Sequence, residues 1–268
     1  MALFDIIMLA LIQGVTEFLP ISSSGHLILW PLLTGRPDQG LMMDVAVHLG
    51  TLVAVCIYFR RDVGVLARGV GHVAAGRPRT PQARMALLIG LATLPAMAAG
   101  LAIKLMGWDD GLRALAVIGW ATLVGGVALW LADRLGSGRR TGEGWGLRDA
   151  LLMGLAQALA LVPGTSRSGV TMMAARALGF RRDEAARISL LMAVPVILAA
   201  VGLETVELAR SGTIAIGAEL LLGAALSCAA ALGALSVMMR MFRGSWTMTP
   251  FVLYRLALGA ILLTLAYG

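Results

Sequence analysis

The chain has 268 residues, 59% of them hydrophobic and only 14% charged, where a soluble domain carries about a quarter charged residues. The apolar excess runs along the whole length, which excludes a soluble globular protein and implies a polytopic membrane protein. The net charge of +7 does not point to nucleic acid, because the basic residues sort by side of the membrane.

The first apolar region, about 3–34, is broken in its middle by "QGVTEFLPISSSGHLIL" (Gln13–Leu29). A basic n-region and a small-residue cleavage site are lacking, so this segment is expected to stay in the mature protein. Full spans, which take about 20 helical residues, are expected at about 41–59, 84–106 and 113–133. Between them, His72 and its neighbouring arginines read as a solvated loop. A second interrupted region follows at about 147–179, around "PGTSRSG" (Pro163–Gly169), and three more spans are expected at about 186–208, 214–240 and 249–267. Trp108, Trp145 and Trp246 fall near span ends, as interfacial anchors do. Cys56 and Cys228 sit singly in different spans, with no spacing that suggests a disulfide or zinc.

If the loop 60–84 is cytoplasmic, the inner side carries fifteen basic residues and the outer side only Arg36, Lys104, Arg113 and Arg210, a strong positive-inside asymmetry. Arg167, Arg176 and Arg255 belong to neither count. Arg167 and Arg255 fall in apolar regions, and Arg255 is expected to need a counter-ion and reads as an organiser of the cavity rather than as a catalyst.

No linker divides the chain, so a single integral membrane domain, 1–268, is expected. A shift of 144 residues brings Gln13 onto Gln157, Ser22 onto Ser166, Ser24 onto Ser168 and Gly25 onto Gly169. The repeats run over about 1–134 and about 145–268, and each interrupted region precedes three spans. Three is odd, so the second repeat enters the membrane from the opposite side. The expected fold is therefore all-α, with six transmembrane helices and two re-entrant helical hairpins in inverted-topology repeats. Non-helical backbone at membrane depth must be buried or line a wet cavity, so the two tips are expected to share one. A pair of merely kinked spans is the plainer alternative.

The chemistry lies at these tips. A half-helix that starts there presents free N–H groups and a positive dipole end to anions. Ser22, Ser23, Ser24 and Gly25 precede one such start; Gly164, Thr165, Ser166, Arg167, Ser168 and Gly169 precede the other. Glycine admits close approach, hydroxyls donate to oxygens, and the Arg167 fork suits a phosphate oxygen pair. Gln13 and Glu17, four apart on one helix face, add a carboxylate, and His26 opens the following half-helix. Together with a serine hydroxyl these offer a nucleophile, a base and an acid for attack at phosphorus. The plainer readings are that single hydroxyls bond back to their helix and that Glu17 only neutralises Arg167. Asp44 and His48, a further pair four apart, are open to structural and functional readings alike.

"QGVTEFLPISSSGH" and "LVPGTSRSGVTMMAARALG", with "MDVAVHLGTLVAV", "AARISLLMAVPVI" and "FVLYRLALG", resemble the bacterial undecaprenyl-diphosphate phosphatase family, also called bacitracin-resistance proteins. The resemblance covers nearly the whole chain. It implies a multi-pass enzyme of the bacterial inner membrane, its cavity open to the periplasm, that hydrolyses undecaprenyl diphosphate to undecaprenyl phosphate. Such an enzyme recycles the lipid carrier for cell-wall synthesis and confers bacitracin resistance. The family's acidic motif falls on Gln13 and Glu17, its serine and histidine positions on Ser22, Ser23 and His26, and its arginine motif on Ser166, Arg167 and Thr171. A homodimer and stimulation by a divalent cation are also implied. With one carboxylate in the acidic motif, no metal ligands are assigned to the protein, and Mg2+ or Ca2+ would bind through the substrate diphosphate. Attack by Ser23, or by water activated by Glu17 or His26, both remain open. A transporter or lipid flippase would need Arg167 and the helix starts, but not Ser23, Glu17 and His26 together.

Overall fold

Backbone that leaves water must satisfy its own hydrogen bonds, and a helix does so within one segment. A computed structural model describes residues 2–36, 39–211 and 217–268, and among them every regular element is helical. The first half of the chain forms α1 (Leu3–Thr16), α2 (Ser23–Thr34), α3 (Leu41–Tyr58), α4 (Arg60–Ala74), α5 (Pro81–Met106), α6 (Asp109–Leu112) and α7 (Leu115–Leu135). The second half forms α8 (Leu147–Ala158), α9 (Arg167–Ala177), α10 (Arg182–Ser211), α11 (Ala218–Arg243) and α12 (Thr249–Tyr267).

Six helices, α3, α5, α7, α10, α11 and α12, are long and apolar enough to cross a membrane. They are the six expected spans, with ends shifted by a few residues. The expected start of α11, before Gly217, lies outside the described residues. The helix α10 begins earlier than its apolar run because Asp183 and Glu184 occupy its first turn, where carboxylates favour the positive end of the helix dipole.

Two expectations are corrected. The loop 60–84 contains α4, whose Leu66 and Gly69 are buried while Arg60, Arg61 and Arg68 face out. Any side chain at Gly69 would run into the Gln82 carbonyl, so α4 lies close against α5; its charge hid a two-faced helix. Trp108 and Trp246 are 60% and 56% exposed, whereas Trp145 is 6% exposed and packs in the main core.

The short helices pair. Arg36, just after α2, forms an ion pair with Asp5 in the first turn of α1, which closes the open end of the α1–α2 pair. At the base of α8–α9, Arg140 places its fork on Asp149 (2.9 and 2.7 Å), donates to the Leu178 carbonyl (3.0 Å) and covers the Phe180 ring. Contacts also correspond between the halves: α1 packs on α11, and α8 packs on α5. Asp133 gathers four elements, accepting from Arg176 Nε of α9 (2.9 Å), Arg182 Nε of α10 (2.8 Å) and the Met248 N–H that caps α12 (3.2 Å). The α8–α9 base thus lies at the end where α7 finishes and α10 and α12 begin.

Candidate active site

The first interruption follows from Pro20, which has no N–H to continue α1 and disfavours helical backbone before it. The chain leaves α1 at Glu17, turns through Phe18–Ile21, and restarts at Ser22 with φ 77°. In the second, a single 3-10 turn over Leu159–Leu161 leads through Pro163 and Gly164 (φ 92°) to Ser166 with φ 70°. Ser22 and Ser166 are the only non-glycine residues with positive φ among the described residues. Such backbone costs on the order of 1–3 kcal/mol and persists only where the surroundings enforce it. Each serine caps its helix in the same way: Ser22 Oγ accepts the Gly25 N–H (3.4 Å) and Ser166 Oγ the Gly169 N–H (3.1 Å). Each Oγ also meets the hydroxyl two residues on, Ser24 at 3.3 Å and Ser168 at 3.2 Å. The N–H groups of Ser23 and Ser24, and of Arg167 and Ser168, are left without an intrahelical acceptor.

The two tips are tied together. Ser168 Oγ donates to the Leu19 carbonyl across the interface (2.9 Å). Arg255, fully buried in α12, donates only to carbonyls: Thr165 (2.9 Å), Gly164 (3.2 Å) and Pro20 (3.3 Å) of the tips, and Thr122 (3.1 Å) and Ala121 (3.3 Å) of α7. One guanidinium therefore clamps both interruptions, the organising role expected of it, with carbonyls rather than the expected counter-ion as its partners among the described residues. Gly125 and Gly126 make room for it, since a side chain at Gly125 would collide with its head.

Between the tips lies a cavity of about 180 Å³, lined by Glu17, Ser22, Ser23, Ser24, Ser166 and Arg167, with His48 and Glu204 beside them. Val196, Ile197, Ala200 and Val201 of α10 form an apolar wall. Larger hollows, of about 450 and 470 Å³ at the arginine-rich end and about 470 and 510 Å³ elsewhere, contain none of these groups. Within the cavity Glu17 is the hub. Its Oε2 accepts from Ser23 Oγ (2.7 Å) and Gln13 Nε2 (3.0 Å), and its Oε1 from Arg167 Nη2 (3.2 Å). Arg167 also donates to the Ser189 carbonyl (3.4 Å). A hydroxyl, the carboxylate that accepts its hydrogen bond, and the guanidinium paired with that carboxylate stand in one row. Such an arrangement can serve an activated nucleophile beside an anion site.

Other expected site residues stand around this row. Gly25 and Gly169 shape the helix starts, while the carbonyls of Gly164 and Thr165 serve Arg255. The Thr171 hydroxyl meets Ser189 Oγ (2.5 Å) and donates to the Arg167 carbonyl (2.8 Å), facing α10 rather than the cavity. His26 is also turned away: Nδ1 lies 2.6 Å from the Ser22 carbonyl and Nε2 2.5 Å from the Tyr254 hydroxyl, with the two rings stacked. Gln13 Oε1 is buried without a partner, as is Oε1 of Gln157, its counterpart in the second half. The cavity-lining Glu204 was not singled out from sequence; a carboxylate inside an apolar span was the available signal.

The donor set does not suit a protein-held divalent cation. Among the described residues no three His, Cys, Asp or Glu side chains converge, and both Glu17 oxygens are engaged by Arg167, Gln13 and Ser23.

Residues 6–261 match the family model described as bacitracin resistance protein BacA. The chain is 52% identical over 268 residues to an undecaprenyl-diphosphatase of Dinoroseobacter shibae, covering the whole of both proteins. It is 51% identical over 268 residues to one of Ruegeria pomeroyi, again over both whole chains, and 46% identical over 266 residues, 98% of each chain, to one of Maricaulis maris.

Proposed function

The chain belongs to the bacitracin resistance protein BacA family, and from that premise we propose that it is an integral membrane phosphatase hydrolysing undecaprenyl diphosphate to undecaprenyl phosphate and inorganic phosphate. The reaction recycles the lipid carrier for peptidoglycan synthesis and underlies the resistance for which the family is named. The observation that carries this reading is the row Ser23–Glu17–Arg167, joined by hydrogen bonds of 2.7 and 3.2 Å at the meeting of two helix starts.

In this reading Arg167 and the free N–H groups of Ser23, Ser24, Arg167 and Ser168 hold the terminal phosphoryl group and take up the charge that gathers on its oxygens. Phosphoryl transfer is governed mainly by such positioning and electrostatics. The Ser23 proton passes to Glu17 as Oγ attacks phosphorus, and undecaprenyl phosphate leaves; water then releases phosphate from the serine. Direct attack by water uses the same carboxylate. Ser22, Ser166, Gly25 and Gly169 set the helix starts, Gln13 orients Glu17, and His26 holds the Ser22 turn. The cavity is smaller than the roughly 300 Å³ or more of typical sites for drug-sized ligands. It suits a headgroup, with the prenyl chain leaving over the apolar face of α10.

The two short helix pairs act as re-entrant hairpins of one membrane domain built from inverted repeats, supported by the matched serine caps and the corresponding helix contacts. The arginine-rich end faces the cytoplasm of a bacterial inner membrane, the cavity opens to the periplasm, and the protein works as a homodimer. A magnesium or calcium ion, where it takes part, arrives on the diphosphate.

The test is phosphate release from undecaprenyl diphosphate by the purified protein in detergent. Ser23→Ala, Glu17→Gln and Arg167→Ala are each expected to lose about 10²-fold or more in kcat. A phospho-enzyme trapped by acid quench and absent from Ser23→Ala identifies serine as the nucleophile. Unchanged release by Arg167→Ala contradicts the proposed site, and no release by folded wild type contradicts the activity.

A further inference from the structure

Two imidazoles stand near the hairpin tips, and their ring nitrogens are used differently. His26 lies beside the Ser22 carbonyl and the Tyr254 hydroxyl at 2.6 and 2.5 Å. A carbonyl only accepts, so Nδ1 carries the proton, and in the neutral ring Nε2 accepts from the tyrosine. Both nitrogens are occupied, and the ring does not line the cavity.

His48, on α3, does line it, together with Glu17 and Ser23, and its side chain is 30% exposed. Its Nδ1 lies 2.7 Å from the Asp44 carbonyl, so Nδ1 is again the protonated nitrogen and the neutral ring turns a bare lone pair inward at Nε2. That nitrogen is 4.0 Å from Glu17 Oε2, the oxygen that accepts from Ser23. Two acceptors face each other stably across such a gap only when a proton or a water supplies hydrogen between them. The charged surroundings agree. Glu17 faces His48 from the end of α1, and Glu204 reaches it electrostatically from α10. Asp44, on its own helix, accepts from Gln39 (2.9 Å), and Glu207 of α10 is tied to Lys104 of α5 (2.7 Å). The helix α11 brings the Ser227 hydroxyl, which is spent on the Val47 carbonyl. An imidazolium at position 48 therefore has carboxylates on two sides, while Arg167 lies across the Glu17 carboxylate.

We propose that His48 is the proton acceptor of this site, receiving through Glu17 Oε2 the proton that leaves the nucleophile; this rests on the reading of the cavity as the diphosphate-hydrolysing site. As the bond from oxygen to the terminal phosphorus forms, the nucleophile's O–H bond breaks and its proton passes to Glu17. The bridging P–O bond breaks with its electron pair, which departs on undecaprenyl phosphate. Glu17 cannot keep the proton without surrendering its pair with Arg167, and passes it to His48 Nε2. The resulting imidazolium still donates from Nδ1 to Asp44, and returns its proton to water. On the serine route the water that cleaves the phosphoserine gives its hydroxyl to phosphate and its proton to the departing Ser23 Oγ, so by either route one water is consumed and one proton reaches solvent by way of His48.

The test is phosphate release from undecaprenyl diphosphate by purified wild type, His48→Gln, His48→Ala and His26→Gln between about pH 5 and pH 9. His48→Gln is expected to lose about 10²-fold in kcat with KM within threefold, and to lose the acidic limb of the wild-type rate profile. Added imidazole is expected to restore part of the His48→Ala rate. His26→Gln is expected to keep that limb. A His48→Gln enzyme with wild-type rate and limb, or a limb that disappears with His26, overturns the proposal. A wild type that releases no phosphate overturns the underlying activity instead. Should both His48 variants fail to fold, acylation of the wild type by diethylpyrocarbonate reads the same group: the chain has three histidines, and rate loss must follow modification of His48 rather than of His26 or His72.

Discussion

At the scale of residues, the site depends on two serines held where serine is uncomfortable. Ser22 and Ser166 take φ of 77° and 70°, and both use their hydroxyls to cap the helix that follows. Glycine would accept the backbone and lose the cap; alanine would lose the cap and keep the strain. Ser166→Ala is therefore expected to lower the melting temperature in detergent more than Ser166→Gly, by an amount corresponding to about 1 kcal/mol. Equal melting temperatures would mean that the left-handed backbone carries no such strain. Residue types were legible from sequence, because a carboxylate, an arginine and clustered hydroxyls in hydrocarbon are conspicuous. Their orientation was not. Nothing in "SSSGH" shows that His26 turns to Tyr254, 228 positions away, while His48, from a different span, turns toward Glu17. Likewise Thr171 belongs to the arginine motif by resemblance, but its hydroxyl meets Ser189 of α10. Partners distant in sequence decide these side chains.

At the scale of elements, helices approach closely where small residues face carbonyls. An added Cβ at Gly50 of α3 would meet the Ala224 carbonyl of α11, and one at Gly14 of α1 would meet Ser227 and Ala230 of the same helix. Packing and interhelical hydrogen bonds, rather than a hydrophobic drive, hold helices together in lipid, so such contacts matter. Gly50→Ala is expected to lower the melting temperature in detergent by several degrees, and Gly90→Ala, where a Cβ meets open space, to leave it unchanged or slightly raised. Equal effects at the two positions would show that helix propensity, not close approach, governs them. Sequence made the six spans legible because length and hydropathy suffice for them. It hid α4, since fifteen residues with Arg60, Arg61, Asp62, Arg68 and His72 lack the apolar run that marks a span. Its single buried stripe matters only beside α5.

At the scale of the whole molecule, the chain builds one pocket from two similar halves. The first tip brings the carboxylate and Ser23, the second brings Arg167, and Arg255 of the last helix binds the carbonyls of both. Arginine's planar fork reaches two carbonyl sets at once, which the three donors of a lysine cannot reproduce. The correspondence of Ser22 with Ser166 was legible as a shift of 144 residues; the clamp was not, because nothing local in "YRLALG" names its acceptors. The measurement that bears most directly on a shared site is a double-mutant cycle across the tips: kcat/KM for undecaprenyl diphosphate of wild type, Glu17→Gln, Arg167→Ala and the double variant. Groups that act as one unit are strongly non-additive, so the double variant is expected to be no worse than the poorer single variant, within about threefold. Losses that simply multiply would contradict a single site assembled from both halves.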